Sequence, residues 1–205
     1  MSKPVEEYTR RYHAFLTTIA TNLEQHIRSH VDQLPRIDRI TARAKEPDSF
    51  AEKATLLNVD GTRKYPTPLM QIQDQIGVRI IVYYTDDVPV VTDMILRYLR
   101  PIEEKDRIPE SEWEFGYAGK HLILILPRDV VPADIDLSEV PDFFELQIKT
   151  LYQHAWSEAN HDLGYKSKAP LISDQKRRLA YTAAQSWGAD RVFADLFREL
   201  DNDLT

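Results

Sequence analysis

Three short apolar runs limit what this chain can fold into. Residues 77–84 read GVRIIVYY, 121–126 read HLILIL and 143–148 read FFELQI. Each has strand length and is rich in β-branched or aromatic residues. A fourth stretch, 37–45, alternates enough for a strand or an extended segment. Around these runs the spacing turns helical. Over 5–32, Tyr8, Tyr12, Phe15, Leu16, Ile19, Leu23 and Ile27 recur at helical intervals, and Pro35 ends the element. Another helix is expected to start at Pro47, Asp48 and Ser49, with Phe50, Ala54, Leu56 and Leu57 behind it. Helices are also predicted over 87–99, 150–162 and 173–201, the last presenting Leu179, Trp187, Val192, Phe193, Leu196 and Leu200. The stretches 58–68 and 128–141 read as loops. Strands interleaved with helices, and helices at both ends, predict an α+β chain with a mixed sheet covered by helices.

Composition narrows the function. The 205 residues are enough for one domain with a sizeable core. The absence of cysteine excludes disulfides, thiolate metal sites and a cysteine nucleophile. No apolar run reaches bilayer-spanning length, and the start MSKPVEEYTRRYHAF lacks the pattern of a signal peptide. A cytoplasmic enzyme or binding protein is the expectation. A net charge of −7 argues against a general nucleic-acid binder, though not against a local basic site.

Polar residues inside or beside apolar strands are the informative ones. Asp74 stands just before the 77–84 strand and Arg79 within it. They could hold a metal ion and a phosphate, or simply pair with each other. Glu145, Gln147 and Lys149 alternate with Leu146 and Ile148, so three polar side chains share one strand face. Such a face is either solvent-exposed or a site. Directly after it, His154, Glu158 and His161 fall on one helical face. They lack the His-Glu-x-x-His order of zinc hydrolases, and support of the neighbouring strand is the better reading. Gly116-Tyr-Ala-Gly-Lys-His121 is a hairpin turn, or a loop allowing close backbone approach to a ligand, with Tyr117 available to stack on a base. Arg39, Arg43, Lys45, Ser49 and Lys53 give a positive edge near a helix start, where phosphate binds well, though taken alone a solvated basic edge is the better reading.

In this order the clusters resemble the synthetase domain of the RelA/SpoT family, especially the single-domain small alarmone synthetases. The resemblance runs from about Arg39 to Lys166. It rests on Arg43-Ala-Lys45 with Ser49 and Lys53, on D-Q-I-G-V-R, on G-Y-x-x-x-H, on E-L-Q-I-K-T, and on H-x-W-x-E-x-N-H ending in Gly-Tyr-Lys166. It implies a nucleotidyltransferase-like fold with a five-stranded mixed sheet. One domain would fill 1–205, with an N-terminal helix at 1–34, a catalytic core at 37–166 and a C-terminal helix at 173–205. The implied activity moves pyrophosphate from ATP to the 3′-hydroxyl of GDP or GTP. Asp74 would bind Mg²⁺, and Glu145 would share the metal or act as general base. Arg43 would lie against the adenine, with Lys45, Lys53 and Arg79 near the donor phosphates and Ser49 on the same ATP side. Tyr117 would stack on the acceptor base, His121 would support the acceptor phosphates, and Gln147 and Lys149 would line that side.

The acceptor half departs from the family pattern. Phe115 and Ala118 replace an Asn and an Arg, Trp113 aligns with a Lys, and Lys149 replaces an Arg, losing a planar fork for phosphate. Candidate acceptors are therefore guanine nucleotides, adenine nucleotides or the tRNA 3′ end, the last two as in toxic relatives. A non-catalytic nucleotide sensor is a further alternative. The chain leaves no room for the hydrolase domain of long members, so no hydrolase activity is expected. The helices at 5–32 and 173–201 could build a homo-oligomer or complete the monomer core.

Overall fold

The computed structural model describes residues 2–106, 119–166 and 170–202. An N-terminal rod comes first. Helix α1 (Lys3–Arg11) has Pro4 in its first turn, a π-helical turn spans Tyr12–Leu16, and α2 runs through Thr17–Val31. Arg36, with a positive φ of 63°, turns the chain into strand β1 (Ile37–Ala44). The short helices α3 (Pro47–Ala54) and α4 (Pro68–Gln71) lead to β2 (Ile76–Val82). Helix α5 (Asp87–Tyr98) follows, then β3 (Pro101–Asp106), β4 (Lys120–Ile125) and β5 (Phe143–Thr150). Two long helices end the chain, α6 (Leu151–Lys166) and α7 (Ser173–Asn202). No helix of the described residues is long and apolar enough to cross a membrane.

The five strands form one mixed sheet in the order β1-β2-β5-β4-β3. Only β2 and β5 are parallel; the other neighbours are antiparallel. This makes an α+β fold with a helix-flanked sheet. Strand alternation sorts its side chains onto two unlike faces. One face carries Ile40, Ile76, Val78, Ile80, Leu122, Leu124, Phe144, Leu146 and Ile148, all buried. Ile19, Leu23 and Ile27 of α2 and Val91 and Ile95 of α5 join the same core. Burying this face is the main drive for folding. The opposite face carries the polar residues of the site.

Three differences from the sequence expectation bear on the packing. Strand β3, PIEEKD, is absent from the sequence expectation, because a proline and four charges hide an edge strand that pairs on one side only. Helix α3 stops at Ala54, so Leu56 and Leu57 are exposed rather than packed behind it. On α7 the large apolar residues Trp187, Val192, Phe193, Leu196 and Leu200 are also exposed, while Ala183, Asp190 and Ala194 are buried. Small residues let that helix lie close to its neighbours.

The junction of β5 and α6 is fixed locally. The Gln153 N–H donates to Thr150 Oγ1 at 3.0 Å, and the Thr150 N–H donates to Gln153 Oε1 at 2.9 Å. This reciprocal capping box sets where the helix begins. The buried Thr150 hydroxyl also donates to Asp190 of α7. Strand, helix and C-terminal helix are thereby tied at one residue.

Candidate active site

Registered strands lay the polar face out as a grid. One row runs Arg43, Gly77, Glu145 and Ile123 across β1, β2, β5 and β4. The next runs Thr41, Arg79, Gln147 and His121. A third places Arg39, Ile81 and Lys149 together. Gly77 lies between Arg43 and Glu145, and a Cβ built there would meet nothing within 4 Å. The centre of the first row is therefore open floor, bounded by a guanidinium and a carboxylate. Gly77 is not among the site residues expected from the sequence. A glycine at the entry of an otherwise β-branched strand is the signal that could have found it.

A cationic corner lies at one end of the sheet. The Lys45 N–H donates to the Gln75 carbonyl at 2.8 Å, which joins the end of β1 to the loop before β2. Lys45 Nζ lies 3.0 Å from Asp74 Oδ2, and Lys53 Nζ, from α3, lies 2.9 Å from Asp74 Oδ1. Both Asp74 oxygens are thus held by ammonium groups. Ser49 sits half-buried in the first turn of α3, and Arg43 is exposed on the sheet.

Glu145 occupies the centre of the face. His121 Nδ1 lies 2.8 Å from its Oε1, and the Gln147 amide donates to its Oε2 at 3.0 Å. Burial works to raise the carboxyl. The His121 hydrogen bond and charge, the Gln147 amide and the Lys53 charge outweigh it and hold it down at about 2. An ionised carboxylate only accepts, so His121 donates to it from Nδ1. Among the described residues, His121 Nε2 and Gln147 Oε1 are buried without a hydrogen-bond partner. Buried polar atoms seldom stay unpaired, and two on cross-strand neighbours mark a place for a ligand or water.

The third part is contributed by α6. Arg79 Nη1 donates to Glu158 Oε1 at 2.7 Å and lies 3.3 Å from His154 Nδ1. Burial, then the Arg79 charge, lower the His154 ring; burial opposes but Arg79 and His154 lower the Glu158 carboxyl. Buried Lys149 donates to Ser157 Oγ at 3.0 Å. His161 is exposed on the same helix, and no group of three or more His, Cys, Asp or Glu converges on a metal position among the described residues.

The structure therefore brings together Asp74, Lys45 and Lys53 as one group, Glu145, His121 and Gln147 as a second, and Arg79 and Lys149 against α6. Tyr117, with Phe115, Ala118 and Trp113, lies outside the described residues. Gly119 of the same loop is buried, and a side chain there would strike the Ile148 carbonyl and the Lys149 stem. Its close approach is to β5 rather than to a ligand.

Similarity to known proteins covers this same region. A family model described as "Region found in RelA / SpoT proteins" matches residues 42–170. GTP pyrophosphokinase YjbM of Bacillus subtilis (strain 168) is 27% identical over 169 residues, covering 80% of this chain and 74% of that protein. Among solved structures, small alarmone synthetase 1 of Bacillus subtilis, bound to its product pppGpp, superposes with a TM-score of 0.73 at 24% identity. The match covers 93% of this chain and 97% of that one. A GTP pyrophosphokinase family protein from Streptococcus pneumoniae gives a TM-score of 0.72 at 25% identity, covering 99% and 97%.

Proposed function

The chain belongs to the RelA/SpoT family, and from that premise we propose that it is a GTP pyrophosphokinase that makes (p)ppGpp from ATP and GDP or GTP. The observation that carries the reading is the open floor at Gly77. It separates a cationic corner from an ionised carboxylate, and has two unpaired buried polar atoms nearby. A polyanionic donor and a hydroxyl acceptor need these surroundings.

In this reading the 3′-hydroxyl oxygen of the guanine nucleotide bonds to the β-phosphorus of ATP. The bond from that phosphorus to the α-phosphate bridging oxygen breaks, AMP leaves and the hydroxyl proton is released. Arg43 packs against the adenine. Lys45 and Lys53 turn from Asp74 to the donor phosphates, and Arg79 exchanges Glu158 for a phosphate oxygen. Ser49, at the start of α3, contributes to the ATP side. Glu145 accepts the hydroxyl hydrogen bond. Held at about 2, it is a weak proton acceptor at neutral pH, so its part is to align the hydroxyl and take its proton late. His121 keeps Glu145 ionised and aimed. Its free nitrogen and the Gln147 carbonyl oxygen face the acceptor, with Lys149 and Tyr117 completing that side.

Asp74 and Glu145 suit a divalent cation such as Mg²⁺. Lys53 touches Asp74 and its charge also lowers Glu145, so one cation already answers to both carboxylates. Two carboxylates fit a small hard ion that keeps water and phosphate oxygens as its other ligands. When bound it supplies neutralisation of the transferred phosphates. The reading also places the protein in the cytoplasm, where both nucleotides are available. Val192, Phe193, Leu196 and Leu200 form an exposed apolar stripe on α7 that supports a homo-oligomer.

Transfer is tested with ATP labelled in its β,γ phosphates, Mg²⁺ and a panel of GDP, GTP, ADP, ATP and tRNA. Label should move to GDP or GTP, and Glu145→Gln should reduce the rate by at least about a hundredfold. Label on tRNA or an adenine nucleotide alone would replace the acceptor, and no transfer to any member would sink the enzyme reading.

A further inference from the structure

Tyr8 lies outside residues 42–170, the span of the family model, and takes no part in the chemistry above, yet it reaches each segment of the cationic corner. Its side chain is fully buried. The phenol donates to the Lys45 carbonyl at 2.7 Å, with the Gln75 carbonyl at 3.4 Å. Lys45 and Gln75 are themselves joined through the backbone, and Gln75 directly follows Asp74. The ring stacks on Phe50 of α3, centroids 3.8 Å apart and planes 2° from parallel. Phe50 precedes Lys53 by three residues, close to one helical turn. Burial, then the Asp74 charge, push the phenol well above the ordinary tyrosine range, so the group stays a neutral donor.

We propose that Tyr8 is a positioning residue for the ATP side of the site, fixing Lys45 and Asp74 through their backbone and Lys53 through Phe50. This rests on the reading of those three residues as the donor arm. None of the contacts reaches β4 or β5, where Glu145, His121 and Gln147 stand. The effect is therefore selective for one substrate, whereas a general loss of packing would touch both.

Tyr8→Phe keeps the stack and removes only the hydroxyl. The KM for ATP, and the Kd of a non-hydrolysable ATP analogue read by calorimetry, should rise roughly fivefold. The acceptor KM and kcat should stay within about twofold. Tyr12→Phe is the matched control: it removes an exposed phenol contact to Glu46 from the same rod and should leave ATP affinity unchanged. Unchanged analogue affinity in Tyr8→Phe, equal losses for both substrates, or an equal loss in Tyr12→Phe would overturn the proposal. Calorimetry needs no turnover. A wild-type chain that binds the analogue but transfers nothing defeats the pyrophosphokinase reading alone, and the two variants still decide the role of Tyr8.

Discussion

Glu145 and Gly77 face each other across the parallel pair of strands, and each makes its own test. Because Gly77 has open space where a side chain would go, Gly77→Val should fold normally while obstructing the nucleotide floor. Circular dichroism and melting temperature should match the wild type, with transfer down by at least about tenfold. For Glu145 the sign of the pH effect follows from its lowered carboxyl. With an ordinary value of 4.5 and a folded value of about 2, its stabilising contribution is fully present above about 4.5 and is lost as pH falls toward 2. Urea unfolding across that window should show the wild type losing more stability than Glu145→Gln. His121→Ala removes the foremost group lowering that carboxyl, so the acid limb of the kcat/KM profile should move upward in pH. Much of this was legible from residue order. Alternation alone puts Glu145, Gln147 and Lys149 on one face. The partner of Glu145 was not legible: His121 is 24 positions away, and only the β4–β5 register sets it beside Glu145.

At the scale of elements, Thr150 bears on three pieces of structure. Thr150→Val should remove the hydroxyl half of the α6 capping box, keep the Thr150 N–H bond to Gln153, and leave the Asp190 carboxyl without its hydroxyl donor. The expected loss is about 2–3 kcal/mol, measurable by urea unfolding. Arg79 would also lose definition, since α6 supplies Glu158 and His154 to it. The strands at 77–84, 121–126 and 143–148 were readable because burial on one face imposes a run or an alternation of apolar residues. β3 escaped because an edge strand at the sheet margin has less need of that pattern. The helix over 173–201 was readable in extent but not in orientation. Periodicity counts apolar residues, and here alanines make the close contacts.

The whole molecule carries an acidic excess while its reading requires two polyanionic substrates. Attraction must then come from groups within about a Debye length of the site, roughly 8 Å at physiological salt. Raising salt from about 0.05 to 0.5 M should weaken analogue binding severalfold by calorimetry, and Lys45→Ala should flatten that dependence. On the same scale, Leu196→Glu should lower the mass found by light scattering if the α7 stripe joins copies of the chain. The N-terminal rod adds a constraint of another kind. Its π-helical turn, Tyr12–Leu16, sets the angular phase between α1, which reaches the Lys45 corner, and α2, which packs in the core. Removing one residue there would turn α1 by about 100° about its axis and carry Tyr8 away from Lys45. The rod is thus cut like a key: its amino acids can drift, but the count of residues between the bit and the shaft cannot.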